Sequence, residues 1–179
     1  MVILRKENEM KKNIVIFGCD NTGKTNLSRV LKDEFAAEGV EANIVTSIGK
    51  ASKEEQVKFI NDKLNSVGIK IFDRFSPIEE FVCGYVLRGK SNFTLSELNS
   101  FIDRVDLFIF CYPGLFSVLN WGEREQMEGV KQNVLRLINR YNDVAMYLKD
   151  EKKYIVEYNY NSIESVNDVV KKALYVGGR

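Results

Sequence analysis

The chain contains no histidine. That absence removes His-ligated zinc centres and every mechanism in which an imidazole carries the proton, triads included. Cysteine is scarce, with Cys19, Cys83 and Cys111 the three present and none in a C-x-x-C pair. An odd count without a pairing motif suits a reducing cytoplasm, the expected location, better than a disulfide framework. Charge of one sign is also lacking: 26 basic and 25 acidic residues leave a net charge of +1. A chain so balanced carries no overall electrostatic footprint for nucleic acid. No apolar run approaches membrane-spanning length, and the apolar stretch at 1–4 is too short for a signal peptide. Asn-Lys-x-Asp, which reads guanine, is missing, and Asp-x-x-Gly occurs only at 20–23 inside a Gly-rich loop, so a regulatory GTPase is disfavoured. No acidic pair follows the apolar run ending at Phe110, as it does in many motor and transport ATPases.

What is present is a composition of 45% apolar and 28% charged residues over 179 positions, which suits one α/β domain spanning 1–179 with a full core. Its leading feature lies at 18–25, Gly-Cys-Asp-Asn-Thr-Gly-Lys-Thr, the G-x-x-x-x-G-K-S/T phosphate loop. An apolar strand candidate at 13–17 precedes it and a helical stretch at 24–38 follows, the context the motif requires. Gly18 and Gly23 allow the tight turn that aims successive N–H groups at an anion, and the helix N-terminus adds its dipole. Gly18, Asn21, Thr22, Gly23, Lys24 and Thr25 are therefore the expected nucleotide-binding residues, with Lys24 on the outer phosphates and the Thr25 hydroxyl on Mg²⁺.

Apolar runs at 13–17, 42–46, 69–73, 105–111 and 153–158 alternate with helical patterns, which predicts a parallel sheet flanked by helices. Residues 1–12, rich in Lys and Glu, read as a solvated lead-in. Ser52 with Glu55, Ser76 with Pro77 and Glu79, and Thr94 with Glu97 mark helix starts. Gly39, Gly68 and Gly89 are placed as helix-terminating residues. The longest helix is predicted over 122–141, and Ser162 or Ser165 opens the last one.

A second constellation sits at the end of the third strand. Ligands of α/β sheets bind at carboxyl ends of strands, so Asp73 should face the phosphate loop and assist Mg²⁺ or the attacking oxygen, with Arg74 neutralising phosphate. Asp106 begins its strand and should lie on the opposite edge. Arg124, opening the helix after the loop 112–120, is placed as a lid arginine, the lid spanning about 112–126. Phe75 and Tyr85 are the aromatics that could stack on a base, whereas Phe72, Phe108 and Phe110 belong to the core.

With the phosphate loop containing Asp20, then Asp73-Arg74 ending the third strand and a helix ending Arg88-Gly89, the pattern resembles the thymidylate kinase-like branch of P-loop kinases, in particular short deoxynucleotide kinases encoded by bacteriophages. The resemblance spans about 13–170. It implies a three-layer sandwich with a five-stranded parallel sheet in the order 2-3-1-4-5. It also implies transfer of the γ-phosphate of ATP to a deoxynucleoside monophosphate. Lys24, Asp73, Arg74 and Arg124 would be catalytic, Thr25 and Asp73 would serve Mg²⁺, and Asp20 and Arg74 would meet the acceptor. Residues 159–163 would lie where the donor base is held. The Tyr-Gln that reads thymine is absent, with Val82-Cys83 in about that place, so the base is open. Two alternatives keep the chemistry, with a deoxynucleoside or a hydroxymethylated base in DNA as acceptor, and a third is a nucleotide-dependent binding switch. A nucleotide is the expected partner and a homodimer is left open; no membrane is expected.

Overall fold

A computed structural model describes residues 11–49, 51–112 and 129–175 of the chain. Five strands pair in parallel: β1 (Lys11–Phe17), β2 (Ala42–Thr46), β3 (Gly68–Asp73), β4 (Leu107–Cys111) and β5 (Ile155–Tyr158). Their order is β2-β3-β1-β4-β5, as the resemblance implied. The helices are α1 (Lys24–Ala37), α2 (Lys53–Asn65), α3 (Ser76–Glu79), α4 (Tyr85–Arg88), α5 (Leu95–Ile102), α6 (Val134–Asp150) and α7 (Ile163–Tyr175). This is the α/β sandwich of P-loop proteins. Among the described residues, no helix is long and apolar enough to cross a membrane.

Burial follows position in the sheet. From Lys12 onward β1 is buried along its whole length, as is β4, whereas the edge strands β2 and β5 mix buried with exposed positions. That is the signature of a parallel sheet covered on both faces. Strand periodicity then sorts the core by shape. Phe17, Phe72, Phe108 and Phe110 pack on one face against α2, α5 and α6, and Phe17 stacks on Phe110 at 5.2 Å between ring centroids. Ile14, Ile16, Ile69, Ile71 and Ile109 fill the other with Leu27, Leu31 and Phe35 of α1 and Val169 of α7. Each such fully buried side chain contributes roughly 1.5–3 kcal/mol.

Several boundaries depart from the sequence reading. Lys12 is no part of a solvated lead-in: it is buried in β1, and its ammonium caps the last turn of α7 by donating to the Ala173 carbonyl at 2.5 Å. Residues 1–10 lie outside the described residues. Gly68 opens β3 rather than closing α2, whose cap is Ser66. Ser52 and Thr94 form reciprocal capping boxes with Glu55 and Glu97, as expected. Ser76 does not cap: Phe75 holds the cap position without a side-chain bond, and Glu79 turns elsewhere. Of the long helix expected over 122–141, positions 122–128 lie outside the described residues; from there Gly129 at φ +83° and a short 3₁₀ turn at Lys131–Asn133 precede α6, which runs on to Asp150.

The amino-terminal edge is clamped by polar groups. Asn13 N–H donates to Asp106 Oδ2 at 2.7 Å, and Asp106 N–H returns a bond to the Asn13 carbonyl at 2.9 Å. Asn13 Nδ2 donates to the carbonyls of Leu64 and Arg104. Asp106 is thus structural and remote from the carboxyl edge. Asp106→Ala leaves a strand N–H without its charged acceptor, and urea denaturation should show a loss of about 1–3 kcal/mol.

Candidate active site

The carboxyl ends of β1 and β3 meet where strand order reverses, and both key motifs follow them directly. After β1 the chain turns through Gly18 at φ +141°, where a Cβ would stand 2.4 Å from the Cys111 carbonyl oxygen. Asn21 adopts φ +60° and Gly23 φ +78°, the latter ending the loop at the start of α1. Thr22 Oγ1 donates to the Cys19 carbonyl at 2.7 Å and closes the loop internally. The Lys24 ammonium, 5% exposed, donates to the Gly18 carbonyl at 2.7 Å and to that of Cys19. Buried cations need acceptors, and here the loop supplies them where an anion would otherwise draw the lysine. Thr25 is exposed in the first turn of α1.

On the facing side Asp73 ends β3 and is buried, its Oδ1 making no hydrogen bond. A buried carboxylate oxygen with no partner is costly and marks a place for a donor or a cation. Together with the Thr25 hydroxyl it offers hard oxygen ligands of the kind Mg²⁺ takes, with substrate phosphates and water completing the shell. The residues present therefore fit the ion. Arg74 has φ +70°, a left-handed conformation unusual for a side-chain-bearing residue. Its N–H continues the ladder to the Ile16 carbonyl at 3.3 Å, while its guanidinium donates to Asp20 Oδ1 at 2.7 Å. That bond joins the phosphate loop to the end of β3.

Behind this pair lies a small cavity lined by Cys19, Asp20, Arg74, Glu79, Cys83 and Tyr141, among others. Tyr141, from α6, donates its hydroxyl to Glu79 Oε2 at 2.9 Å, and Glu79 Oε1 is buried with no partner. Burial pushes the Glu79 carboxyl above its ordinary value; the charges of Lys24 and Arg74 and the Tyr141 hydroxyl oppose this without cancelling it. The Tyr141 hydroxyl is raised by burial and then by the Glu79 charge. Burial also pushes the Cys19 and Cys83 thiols up to about 12, so neither is a nucleophile at neutral pH. For Arg74 burial acts downward, but Asp20 and Glu79 outweigh it and the guanidinium is held above its usual value.

Glu79 and Tyr141 are the site residues that sequence reading missed. Glu79 is expected from the sequence as a helix-cap acid, and position 141 only as the end of the longest predicted helix. The signal that could have separated them is a polar atom on each that must find a partner once buried. Two expected aromatics separate as well. Phe75 is corrected to the core: it is 1% exposed and meets Phe72 edge-on at 5.3 Å, so it has no ring face to offer a base. Tyr85 is on the surface, edge-on to Phe81 and under the Arg140 guanidinium at 5.3 Å. Arg88 pairs with Glu80. At 159–163, where the donor base was expected, Tyr160 packs over Gly23, whose Cβ would lie 3.1 Å from that of Tyr160. Of the lid expected over 112–126, positions 113–126, Arg124 among them, lie outside the described residues.

No family model and no curated protein matches the sequence. Structural comparison does find likenesses. The YorR protein of Bacillus subtilis, in complex with phosphorylated GDP, superposes with a TM-score of 0.68 over 92% of this chain and 94% of its own, at 15% identity. Deoxyadenosine kinase from M. mycoides with dCMP and dCDP gives 0.55 over 90% and 97%, at 16% identity. The same enzyme with dATP gives 0.58 over 90% and 98%, at 14% identity. At such identities the likeness establishes a shared fold, and the chemistry must be argued from the residues.

The raised Glu79 carboxyl has a consequence for stability. A group that holds its proton more tightly in the folded state favours folding at low pH and loses that advantage as pH rises through its folded value. Glu79→Gln removes the titration. Its melting temperature should match that of the unaltered protein near and below the ordinary Glu value of 4.5 and exceed it increasingly toward neutral pH. A difference that does not vary with pH would contradict the burial of Glu79.

Proposed function

We propose that this chain transfers the γ-phosphoryl group of ATP to a deoxynucleoside monophosphate. The observation that carries the reading is the Arg74–Asp20 bond of 2.7 Å, which joins a phosphate loop and a strand-end Asp-Arg pair in one cleft. The structural neighbours support nucleotide phosphoryl transfer in general, since one of them, a deoxyadenosine kinase, was solved with dCMP and dCDP as products and again with dATP. In this reading the acceptor's phosphate oxygen attacks the γ-phosphorus while the bond to the β-phosphate oxygen breaks, giving ADP and a nucleoside diphosphate. Lys24 leaves the loop carbonyls to follow the transferring charge, and the loop N–H groups hold the β-phosphate. Asp73 and Thr25 would hold Mg²⁺, which when bound supplies charge stabilisation on the phosphates. Arg74 steers the acceptor phosphate, and catalysis is positioning and electrostatics with no covalent enzyme intermediate.

A deoxynucleoside acceptor is the second reading, and one observation favours it. Asp20 already partners the Arg74 guanidinium and Glu79 adds a second carboxyl to the same cavity, an environment better suited to a neutral hydroxyl than to a phosphate. ADP release measured over deoxynucleosides, their monophosphates and modified-base DNA decides between these acceptors. Monophosphates should give the highest kcat/KM; turnover of deoxynucleosides alone would replace the first reading by the second. ATP binding with no product from any acceptor would remove both and leave a nucleotide-dependent switch.

Substitutions test the site itself. Lys24→Ala and Asp73→Asn should each lower kcat by about 10²–10³-fold with the fold intact by circular dichroism. Near-normal turnover in either variant would mean that the transferring group lies elsewhere.

A further inference from the structure

One carboxylate oxygen stands between the two cations that the phosphates of the proposed reaction would claim. Asp20 Oδ1 accepts from the Arg74 guanidinium at 2.7 Å and lies 4.0 Å from the Lys24 ammonium. Lys24 belongs to the donor's half of the cleft and Arg74 to the acceptor's, so a single oxygen serves both. Cations this sheltered from water need a counter-ion, and Asp20 supplies it from within the chain. The carboxylate can also give way. Gly18 pins the loop against β4 and Asn21 is held at φ +60°, so the backbone on either side of Asp20 stays in place. The Asp20 side chain is 20% exposed and can turn toward solvent about its own torsions. A phosphate on either cation would bring negative charge against the carboxylate, and like charges repel strongly where water is scarce.

We propose, on the reading of the chain as a kinase of deoxynucleoside monophosphates, that Asp20 is a displaceable counter-ion that couples the two substrates. The phosphate that binds first turns the carboxylate away from Lys24 and Arg74, and the second meets its cation already released. Breaking the Asp20–Arg74 pair costs free energy once, not twice. Whichever ligand arrives first bears that cost, so the other binds more tightly, and by linkage the factor is the same in both directions. The complex of both substrates is thereby favoured over the donor bound alone, which is the species that would lose its phosphate to water. Asp20 is a positioning residue in this scheme: it acts through the two cations and not on the reacting atoms. A deoxynucleoside brings no phosphate to Arg74, has nothing with which to displace Asp20, and escapes the coupling.

Isothermal titration calorimetry reads this coupling directly, and a merely structural role for Asp20 would not produce it. The probes are the β,γ-imido analogue of ATP with Mg²⁺ as donor and the deoxynucleoside monophosphates as acceptors, each titrated with the other absent and then saturating. In the unaltered protein each should tighten the other about tenfold, equally in both directions. Asp20→Asn removes the charge with almost no change in volume. Each ligand alone should then bind more tightly, and the mutual factor should fall to about one. Asp20→Ala should behave in the same way, and melting curves establish that folded proteins are compared. Deoxynucleosides titrated against the donor analogue should show no tightening that depends on Asp20. A factor of about one or below in the unaltered protein, or the same factor in Asp20→Asn, overturns the proposal. Weaker binding of monophosphates by Asp20→Asn also overturns it and makes Asp20 a direct contact of the acceptor. If monophosphates neither bind nor are phosphorylated, the monophosphate-kinase reading fails and this inference fails with it. Turnover of monophosphates without mutual tightening defeats the inference alone.

Discussion

The phosphate loop touches the sheet at Gly18 so closely that no side chain could stand there. A Cβ would sit 2.4 Å from the backbone oxygen of Cys111, and that neighbour is an interior strand with no freedom to withdraw. Through this contact the loop inherits the rigidity of β4. The rest of the cleft is built from it. Cys19 and Asp20 lie immediately after the fixed point, so the Asp20 carboxylate reaches Arg74 at 2.7 Å. Lys24 folds back on the same segment and finds the Gly18 carbonyl at 2.7 Å. Any larger residue at position 18 would lift the loop from β4 and move all three side chains together, a displacement that positional catalysis tolerates poorly.

Charge in the cleft is deliberately unbalanced. Two cations, Lys24 and Arg74, stand among three carboxyl groups, Asp20, Asp73 and Glu79. Burial makes each of them depend on a partner. Arg74 and Asp20 satisfy one another, Lys24 turns to backbone carbonyls, and the remaining strain falls on the two acids. Asp73 Oδ1 and Glu79 Oε1 are both buried without a hydrogen bond. The two orphan oxygens sit on different elements, one at the end of β3 and one on α3. One physical rule, that a buried polar atom needs a partner, thus singles out both positions.

How much of this the sequence carried depends on whether a feature is local. The phosphate loop, the Asp73-Arg74 strand end and the alternation of strands and helices are written in consecutive residues, and each appears in the structure where it was expected. So do the capping boxes at Ser52 and Thr94, since those bonds span three residues. Glu79 fails for the opposite reason. Its partner Tyr141 lies 62 positions away on α6, where Gly129 and a 3₁₀ turn break the continuous helix expected through 129–133. Phe75 and Tyr85 show the same limit. Both are aromatics near Arg74, and only packing against Phe72 in one case, and exposure beneath Arg140 in the other, tells them apart.

The helix that follows Arg74 shows why such a departure collects where it does. A regular helix over 76–88 was expected, but Glu80–Gly84 is wound as a π turn between α3 and α4. Gly84 sits in that turn because a Cβ there would meet the Lys90 carbonyl oxygen at 2.7 Å, the chain doubling back after Arg88. The wider turn keeps Glu79 and Cys83 on the cavity while releasing Tyr85 to the surface beside Phe81. π insertions give up regular hydrogen bonding for a local change of direction and are frequent at functional sites. Here the irregularity adjoins Glu79, a cavity-lining residue with a buried, unpaired oxygen. Loss of helical regularity and an unsatisfied buried acid in adjacent positions both cost stability, so this turn is not built for the stability of the fold alone.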